Sequence, residues 1–324
     1  MKHHISCAAV LALISILFTV GCGRPPDRMN ETAPELGIDA NIVFYYYSDL
    51  DAAVAFYRDI LGLKQVLDYG FARAFQIADS AFICLVDETK GMHDASEPKS
   101  ILLTLLTEEL DGWYEYLQAQ GVEMYSPLTD RDDHAFRNFM AVDPGGYILE
   151  FETFLEHEEN ARLNSRMAQI KALYPSPEHD SLRPPDLGMQ GIVLWMYYKD
   201  LNAAKNFYQD NLGLELLVDQ GTALVLTSSP TAFIGLVDEK SGTHDYAETK
   251  SVNVGFITSE VDAWYRHLLD RGLEMRGPVE NAEEGRVRAF ITYDVGDYFL
   301  EFDHFLEDES NRELIRALRD DPED

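Results

Sequence analysis

The sequence predicts an α+β chain of two tandem copies of one domain, each copy holding two β-α-β-β-β modules whose strands form cupped mixed sheets. Three observations predict it. Sliding the sequence along itself gives one gap-free register at an offset of 151, aligning residues 41–160 with 192–311, with 51 of 120 positions identical. Within a copy the hydrophobic period changes in the order strand, helix, three strands, and then repeats that order. Turn residues punctuate the changes, most clearly Asp143-Pro144-Gly145-Gly146.

In chain order, Asn41 to Ser48 is a β-rich aromatic run, and Ala53, Phe56, Tyr57 and Ile60 then share a helical face that stops near Gly62. Strands are predicted at Lys64–Tyr69, Ala72–Ala78 and Ala81–Val86. The order restarts with a strand at Ile101–Leu106 and a helix whose apolar face is Leu110, Trp113, Tyr114 and Leu117, ended by Gly121. Strands near Val122–Tyr125, Phe136–Val142 and Tyr147–Glu152 complete the copy. Residues 41–160 are thus the first domain, 161–190 a helix and Pro-rich linker, and 191–324 the second domain with a C-terminal helix at Asn311–Leu318. Leu163, Met167 and Ile170 predict the connecting helix over Asn160–Leu173. Four prolines follow before Gln190, and this stretch is expected to be the first cut in limited proteolysis because few contacts should cross it.

Composition excludes some classes. Apolar residues at 46% and charged residues at 26% are ordinary globular usage, which fits neither a disordered chain nor a multi-span membrane protein. The 57 acidic against 26 basic residues give a net charge of −31, a surface that repels phosphate backbones, so nucleic acid is not an expected partner.

The N-terminus carries an address. Lys2 precedes a mostly apolar run from Ile5 to Val20, sized for a secretory signal, which ends at Thr19-Val20-Gly21-Cys22. Small residues ending in Cys resemble the bacterial lipoprotein signal. That resemblance implies removal of residues 1–21, acylation of Cys22, a tether over residues 22–40, and a lipid bilayer as partner. The expected location is the bacterial cell envelope, at an outer membrane facing the periplasm in a Gram-negative cell, since Gly23 is not the Asp of inner-membrane retention. Cys84 would then be the only free thiol, with no intrachain disulfide.

The paired modules, the opening Asp49-Leu-Asp-Ala-Ala-Val-Ala-Phe-Tyr-Arg-Asp-Ile-Leu-Gly-Leu and the closing Asp143-Pro-Gly-Gly-Tyr-Ile-Leu-Glu-Phe resemble the vicinal oxygen chelate superfamily of glyoxalase I, bleomycin resistance proteins and extradiol dioxygenases. The resemblance covers both copies and implies the fold. It also implies, for the enzymes, a divalent metal in the cleft between two modules, held from the first and last strand of each. Carried over by position, the first copy offers Ile42, Cys84, Leu102 and Glu150, and the second Val193, Gly235, Asn253 and Glu301. Only the glutamates readily bind a hard cation. No metal ligand set and no cofactor are therefore expected; a divalent metal would be held only weakly.

Glu150 and Glu301 are candidate catalytic or ligand-facing groups, the alternative being hydrogen-bonded strand-end residues. His93 and His244, in Gly91-Met-His-Asp and Gly242-Thr-His-Asp, are candidate loop acids, bases or ligands, or else loop caps. Phe44 and Tyr46, and Trp195 and Tyr197, alternate on the first strands and so share a face that could stack on a flat ligand or pack in the core. Arg137 and Arg288 could hold an anionic group or form surface ion pairs. Three functions follow. The first is a membrane-anchored module that binds or sequesters a small, partly aromatic or apolar molecule without a tight metal. The second is a divalent-metal lyase, isomerase or dioxygenase built from Glu150, Glu301, His93 and His244. The third is a structural lipoprotein that keeps only the fold.

Overall fold

In the computed structural model, which describes residues 36–129, 135–175 and 181–319, four β-α-β-β-β modules follow one another. The first comprises β1 (Ala40–Tyr47), α1 (Leu50–Ala55, continued by a π-helical turn, Phe56–Ile60), β2 (Lys64–Asp68), β3 (Ala72–Ala78) and β4 (Ala81–Asp87). The second has β5 (Ile101–Leu106), α2 (Leu110–Ala119), β6 (Met124–Ser126), β7 (Phe136–Val142) and β8 (Ile148–Phe154), followed by α3 (Ala161–Met167). Copy two repeats them as β9 (Gly191–Tyr198), α4 (Leu201–Leu212), β10 (Glu215–Asp219), β11 (Ala223–Thr227) and β12 (Ala232–Asp238), then β13 (Val252–Ile257), α5 (Val261–Asp270), β14 (Glu280–Ala282), β15 (Val287–Tyr293) and β16 (Phe299–Phe305). Helix α6 (Arg312–Arg319) ends the described chain. The signal segment and Cys22 lie outside the described residues. Among the described residues no helix is long and apolar enough to cross a membrane.

The recurring motifs have local reasons. Asp49 and Asp200 cap α1 and α4 by accepting from the amides of Ala52 and Ala203 at 3.0 and 2.9 Å. The Asp of the closing motif is a buried acceptor. Asp143 takes the hydroxyls of Tyr47 and Tyr57 at 2.5 and 3.0 Å and the amides of Gly145 and Tyr147 at 2.8 and 2.9 Å. Asp294 repeats this with Tyr198, Tyr208, Gly296 and Tyr298. Four donors on one carboxylate fix the last turn of each copy to its first strand and helix.

The fold class is as the sequence predicts, with two eight-stranded mixed sheets carrying helices. The sheet partners are not confined to one copy. One sheet runs β14-β15-β16-β13-β1-β4-β3-β2 and the other β10-β11-β12-β9-β5-β8-β7-β6. Module one of the first copy thus shares a sheet with module two of the second, joined by the antiparallel β1–β13 pair; β5–β9 joins the other two modules. Tyr147 spans the exchange, accepting from the Tyr46 amide at 2.9 Å and donating to the Ser251 carbonyl at 2.6 Å. Tyr298 does the same between the Tyr197 amide and the Ser100 carbonyl, both at 2.9 Å.

Alternation divides the strands between two environments. Val43, Tyr45 and Tyr47 of β1 enter the large core with the four long helices, whereas Ile42, Phe44 and Tyr46 belong to a separate apolar face. Leu314 and Ile315 of α6 join that face against β2, and Leu163 of α3 joins the opposite face near β10. The tail helices are packing elements. The connecting helix is shorter than predicted, ending at Met167, because Leu173 turns into a bridge with Met189. The linker is also tied down, against the expectation of few contacts. Arg183, 6% exposed, donates to the carbonyls of Leu187 and Leu173 at 2.8 Å and lies over the Trp113 ring at 5.0 Å.

Candidate functional site

Because modules from different copies share a sheet, each concave face is lined from both copies. The first cleft, of about 130 Å³, is formed by β1, β3 and β4 with β13, β15 and β16. Phe44, Tyr46 and Cys84 come from copy one, and Asn253, Glu301 and Asp303 from copy two. The second cleft, of about 290 Å³, brings Trp195 and Tyr197 of copy two to Glu150, Glu152 and Asn138 of copy one. The sequence grouping by copy is corrected accordingly: Glu301 faces Phe44 and Tyr46, and Glu150 faces Trp195 and Tyr197. The aromatic pairs line the clefts.

Each cleft holds a pair of carboxyl groups two residues apart on one strand. Asn253 Nδ2 donates to Glu301 Oε2 at 2.7 Å, and Asp303, 2% exposed, has an Oδ2 without a partner among the described residues. Burial pushes the Glu301 carboxyl up to about 7, and burial together with the Glu301 and Glu283 charges pushes Asp303 well above the carboxylate range. Burial and mutual repulsion both favour keeping a proton on the pair. In the second cleft, Thr104 and Asn138 donate to Glu150, while Glu152, 3% exposed, leaves Oε1 without a partner among the described residues. Burial raises both, Glu152 further because Glu150 is beside it. Glu152 and Asp303 were not singled out from the sequence. Their signal was there, since strand alternation puts residue 152 on the face of 150 and residue 303 on the face of 301.

The clefts differ in how their aromatic side chain lies. Trp195 sits on Gly235, where an added Cβ would stand 2.1 Å from the indole, and its Nε1 donates to Thr104 Oγ1 at 2.9 Å. Phe44 leans the other way, onto Gly255 of β13, so that the buried Cys84 lines the cleft. The pairs Cys84 with Gly255 and Gly235 with Thr104 therefore set opposite leans at equivalent positions. In the second cleft Trp195, Thr104 and Glu150 form one hydrogen-bonded unit; in the first, Glu301 keeps a single side-chain donor among the described residues.

The other predicted residues lie elsewhere. His93 packs against Tyr46 and Phe299, with ring centroids at 5.0 and 4.7 Å, and its Nδ1 pairs with Glu97 at 2.8 Å. His244 packs edge-on to Tyr197 at 5.5 Å. Neither lines either of these two clefts; His93 lines a separate surface pocket with Glu97, Lys250 and Phe299. Their loop glycines recur because a Cβ on Gly91 would stand 2.4 Å from the Tyr46 ring and one on Gly242 2.1 Å from Tyr197. Arg137 and Arg288 point to the helical side, held bidentately by Asp111 at 2.9 and 3.0 Å and by Asp262 at 2.5 and 2.6 Å. The structure does not bring these four to Glu150 or Glu301.

The donor chemistry does not fit the metal of the enzymes that the sequence resembles. In the first cleft the four positions are Ile42, Cys84, Asn253 and Glu301. Burial and the Glu301 charge push the Cys84 thiol up, away from the thiolate that a soft ion requires. In the second they are Val193, Gly235, Leu102 and Glu150. Among the described residues no group of three or more His, Cys, Asp or Glu side chains is arranged to hold a metal ion.

With this geometry established, comparison with known proteins is informative. The family model described as Glyoxalase/Bleomycin resistance protein/Dioxygenase superfamily matches residues 40–151 and 191–303. A putative dioxygenase from Bacillus subtilis has a similar structure, with a TM-score of 0.58 at 14% identity over 84% of this chain and 86% of that one. Glyoxalase I from Zea mays is similar with a TM-score of 0.55 at 13% identity, over 87% and 96%. At these identities the likeness is one of fold.

Proposed function

The chain belongs to the Glyoxalase/Bleomycin resistance protein/Dioxygenase superfamily, and from that premise we propose that it is a binding protein which takes a small, flat, largely apolar molecule into its first cleft without a tightly held metal. The observation that carries this reading is the first cleft itself, where Phe44 and Tyr46 wall an open, mostly apolar space and a single carboxylate stands at the positions where the family's enzymes would need three or four ligands. An enzyme assembled from the glutamates and His93 or His244 is less well supported, since both histidines stand behind the tyrosines. Titrating chelator-treated protein with acridine, a flat neutral probe, should give saturable binding that Phe44→Ala weakens and added zinc leaves unchanged. Binding that requires near-stoichiometric metal, lost in Glu301→Ala, would favour the enzyme.

The reading includes an anchor. A signal-like run ending at Cys22 would deliver the protein to a bilayer by acylation, and more than one chain is needed for stable retention. Cys22→Ser should abolish fatty-acid labelling and membrane retention; surviving label would remove the anchor from the proposal.

A further inference from the structure

The first cleft has an electrostatic feature that an apolar ligand alone does not explain. Asp303 is 2% exposed, lines the cleft, and has one carboxylate oxygen unpartnered among the described residues. Asn253, 1% exposed on the neighbouring strand, likewise leaves its Oδ1 unpartnered. A third carboxyl, Glu283, lines the cleft from the turn after β14, where it and Glu284 adopt left-handed backbone with φ of 51° and 59°. The only basic side chain lining the cleft among the described residues is Lys90, exposed at the rim. Buried carboxyls without an internal cation are costly unless they are protonated or a ligand supplies the charge. The walls are rings, chiefly Phe44, Tyr46 and Phe71, with Tyr69 beside them already covered by the Arg286 guanidinium at 4.1 Å. Ring faces attract cations, and apolar walls favour a charge spread over an organic group above a hydrated metal ion.

We infer that the first cleft takes a flat organic cation, an aromatic or apolar body bearing a protonated amine or amidine, with its charge against Asp303 and Glu301 and its body against Phe44, Tyr46 and Phe71. The inference rests on the binding reading above and names the ligand class. Binding exchanges the proton of the carboxyl pair for the ligand's charge, so it releases a proton from that pair to solvent. The groups facing the pair are Tyr46 on β1, Cys84 on β4, Asn253 on β13 and Glu283 after β14, with Arg286, between β14 and β15, beside Glu283 and Lys90 at the rim.

The test uses three probes of one shape on the full chain at pH 7.5: 9-aminoacridine, protonated at that pH, acridine, neutral, and acridine-9-carboxylate, anionic. Fluorescence titration should show 9-aminoacridine binding about 10-fold or more tighter than acridine, and the carboxylate weakest. The double variant Glu301→Gln, Asp303→Asn should bring 9-aminoacridine within about twofold of acridine while acridine binding persists, which also reports that the cleft still folds. Bulk attraction to the acidic surface survives in that variant, so a cation preference that persists there overturns the inference. Calorimetry in buffers of different ionisation enthalpy should find proton release with 9-aminoacridine and none with acridine; no release overturns it as well. Equal binding of cation and neutral probe sinks the cation inference alone, whereas failure of all three to bind sinks the underlying binding reading.

Discussion

Ser80 and Thr231 occupy equivalent positions in the two copies and hydrogen-bond each other reciprocally, the Ser80 amide donating to Thr231 Oγ1 at 2.9 Å and the Thr231 amide to Ser80 Oγ at 2.8 Å. A contact between equivalents, made in both directions, lies on the pseudo-twofold axis relating the copies. It forms because β1 pairs with β13 and β5 with β9, so that neither copy completes a sheet alone.

Dividing the chain within residues 176–180 and producing the parts as two polypeptides should therefore yield one 1:1 particle on mixing. Each part lacks four strands of each sheet. Sedimentation velocity checks this, and two stable monomers that ignore each other would contradict the shared sheets.

The linker gives a second prediction. Arg183→Ala removes a buried guanidinium that bonds two linker carbonyls and covers Trp113. The loss should be about 2–4 kcal/mol in urea unfolding, with faster proteolysis after Leu173. Resistance equal to that of the parent would mean that the linker is held by other contacts.

Much of this was legible in the sequence, and what was not has physical reasons. The offset of 151 and the period changes gave the modules, because alternation and turn chemistry are local. Which module pairs with which was not legible. Two copies with 51 of 120 positions identical present nearly the same strand edges, so pairing within and between copies has the same pattern. Glu150, Glu301 and the four first-strand aromatics were found because they repeat. Glu152 and Asp303 repeat only as a class of residue, and went unread although alternation places them beside the glutamates. The His-Asp loops repeat for packing, since each glycine clears a tyrosine ring.

The lean of the cleft aromatics gives a third prediction. Gly235→Cys, which copies the residue at the equivalent position of the first cleft, puts a side chain into the volume of the Trp195 indole. It should cost about 1–3 kcal/mol and shift Trp195 emission as the Thr104 hydrogen bond breaks. Cys84→Gly, in the other cleft, meets no such ring and should cost about 1 kcal/mol for the volume left empty. Unchanged Trp195 emission in Gly235→Cys would show that the lean is not set by the glycine.

The last prediction concerns acidity. Burial raises Glu301 from the usual glutamate value to about 7, and no cation among its principal influences opposes it. A carboxyl whose folded value lies above its unfolded one binds its proton more tightly when folded. Its contribution to stability is therefore fully present below the unfolded value, about 4.3, and is lost as the pH rises through about 7. A displacement of that size corresponds to about 4 kcal/mol, reduced to about 2–3 kcal/mol because Glu301 is only partly buried at the cleft. Glu301→Gln keeps an acceptor for Asn253 but has no proton to lose. The variant should match the parent near pH 4.5 and exceed it progressively between pH 5 and 8, with a thermal midpoint several degrees higher at pH 8. A saturating organic cation should narrow the gap, stabilising the parent at pH 8 by more than it stabilises the variant. Parallel midpoint curves for the two proteins from pH 4.5 to 8 would mean that Glu301 titrates as an ordinary surface carboxylate and that the first cleft stores no unpaired charge.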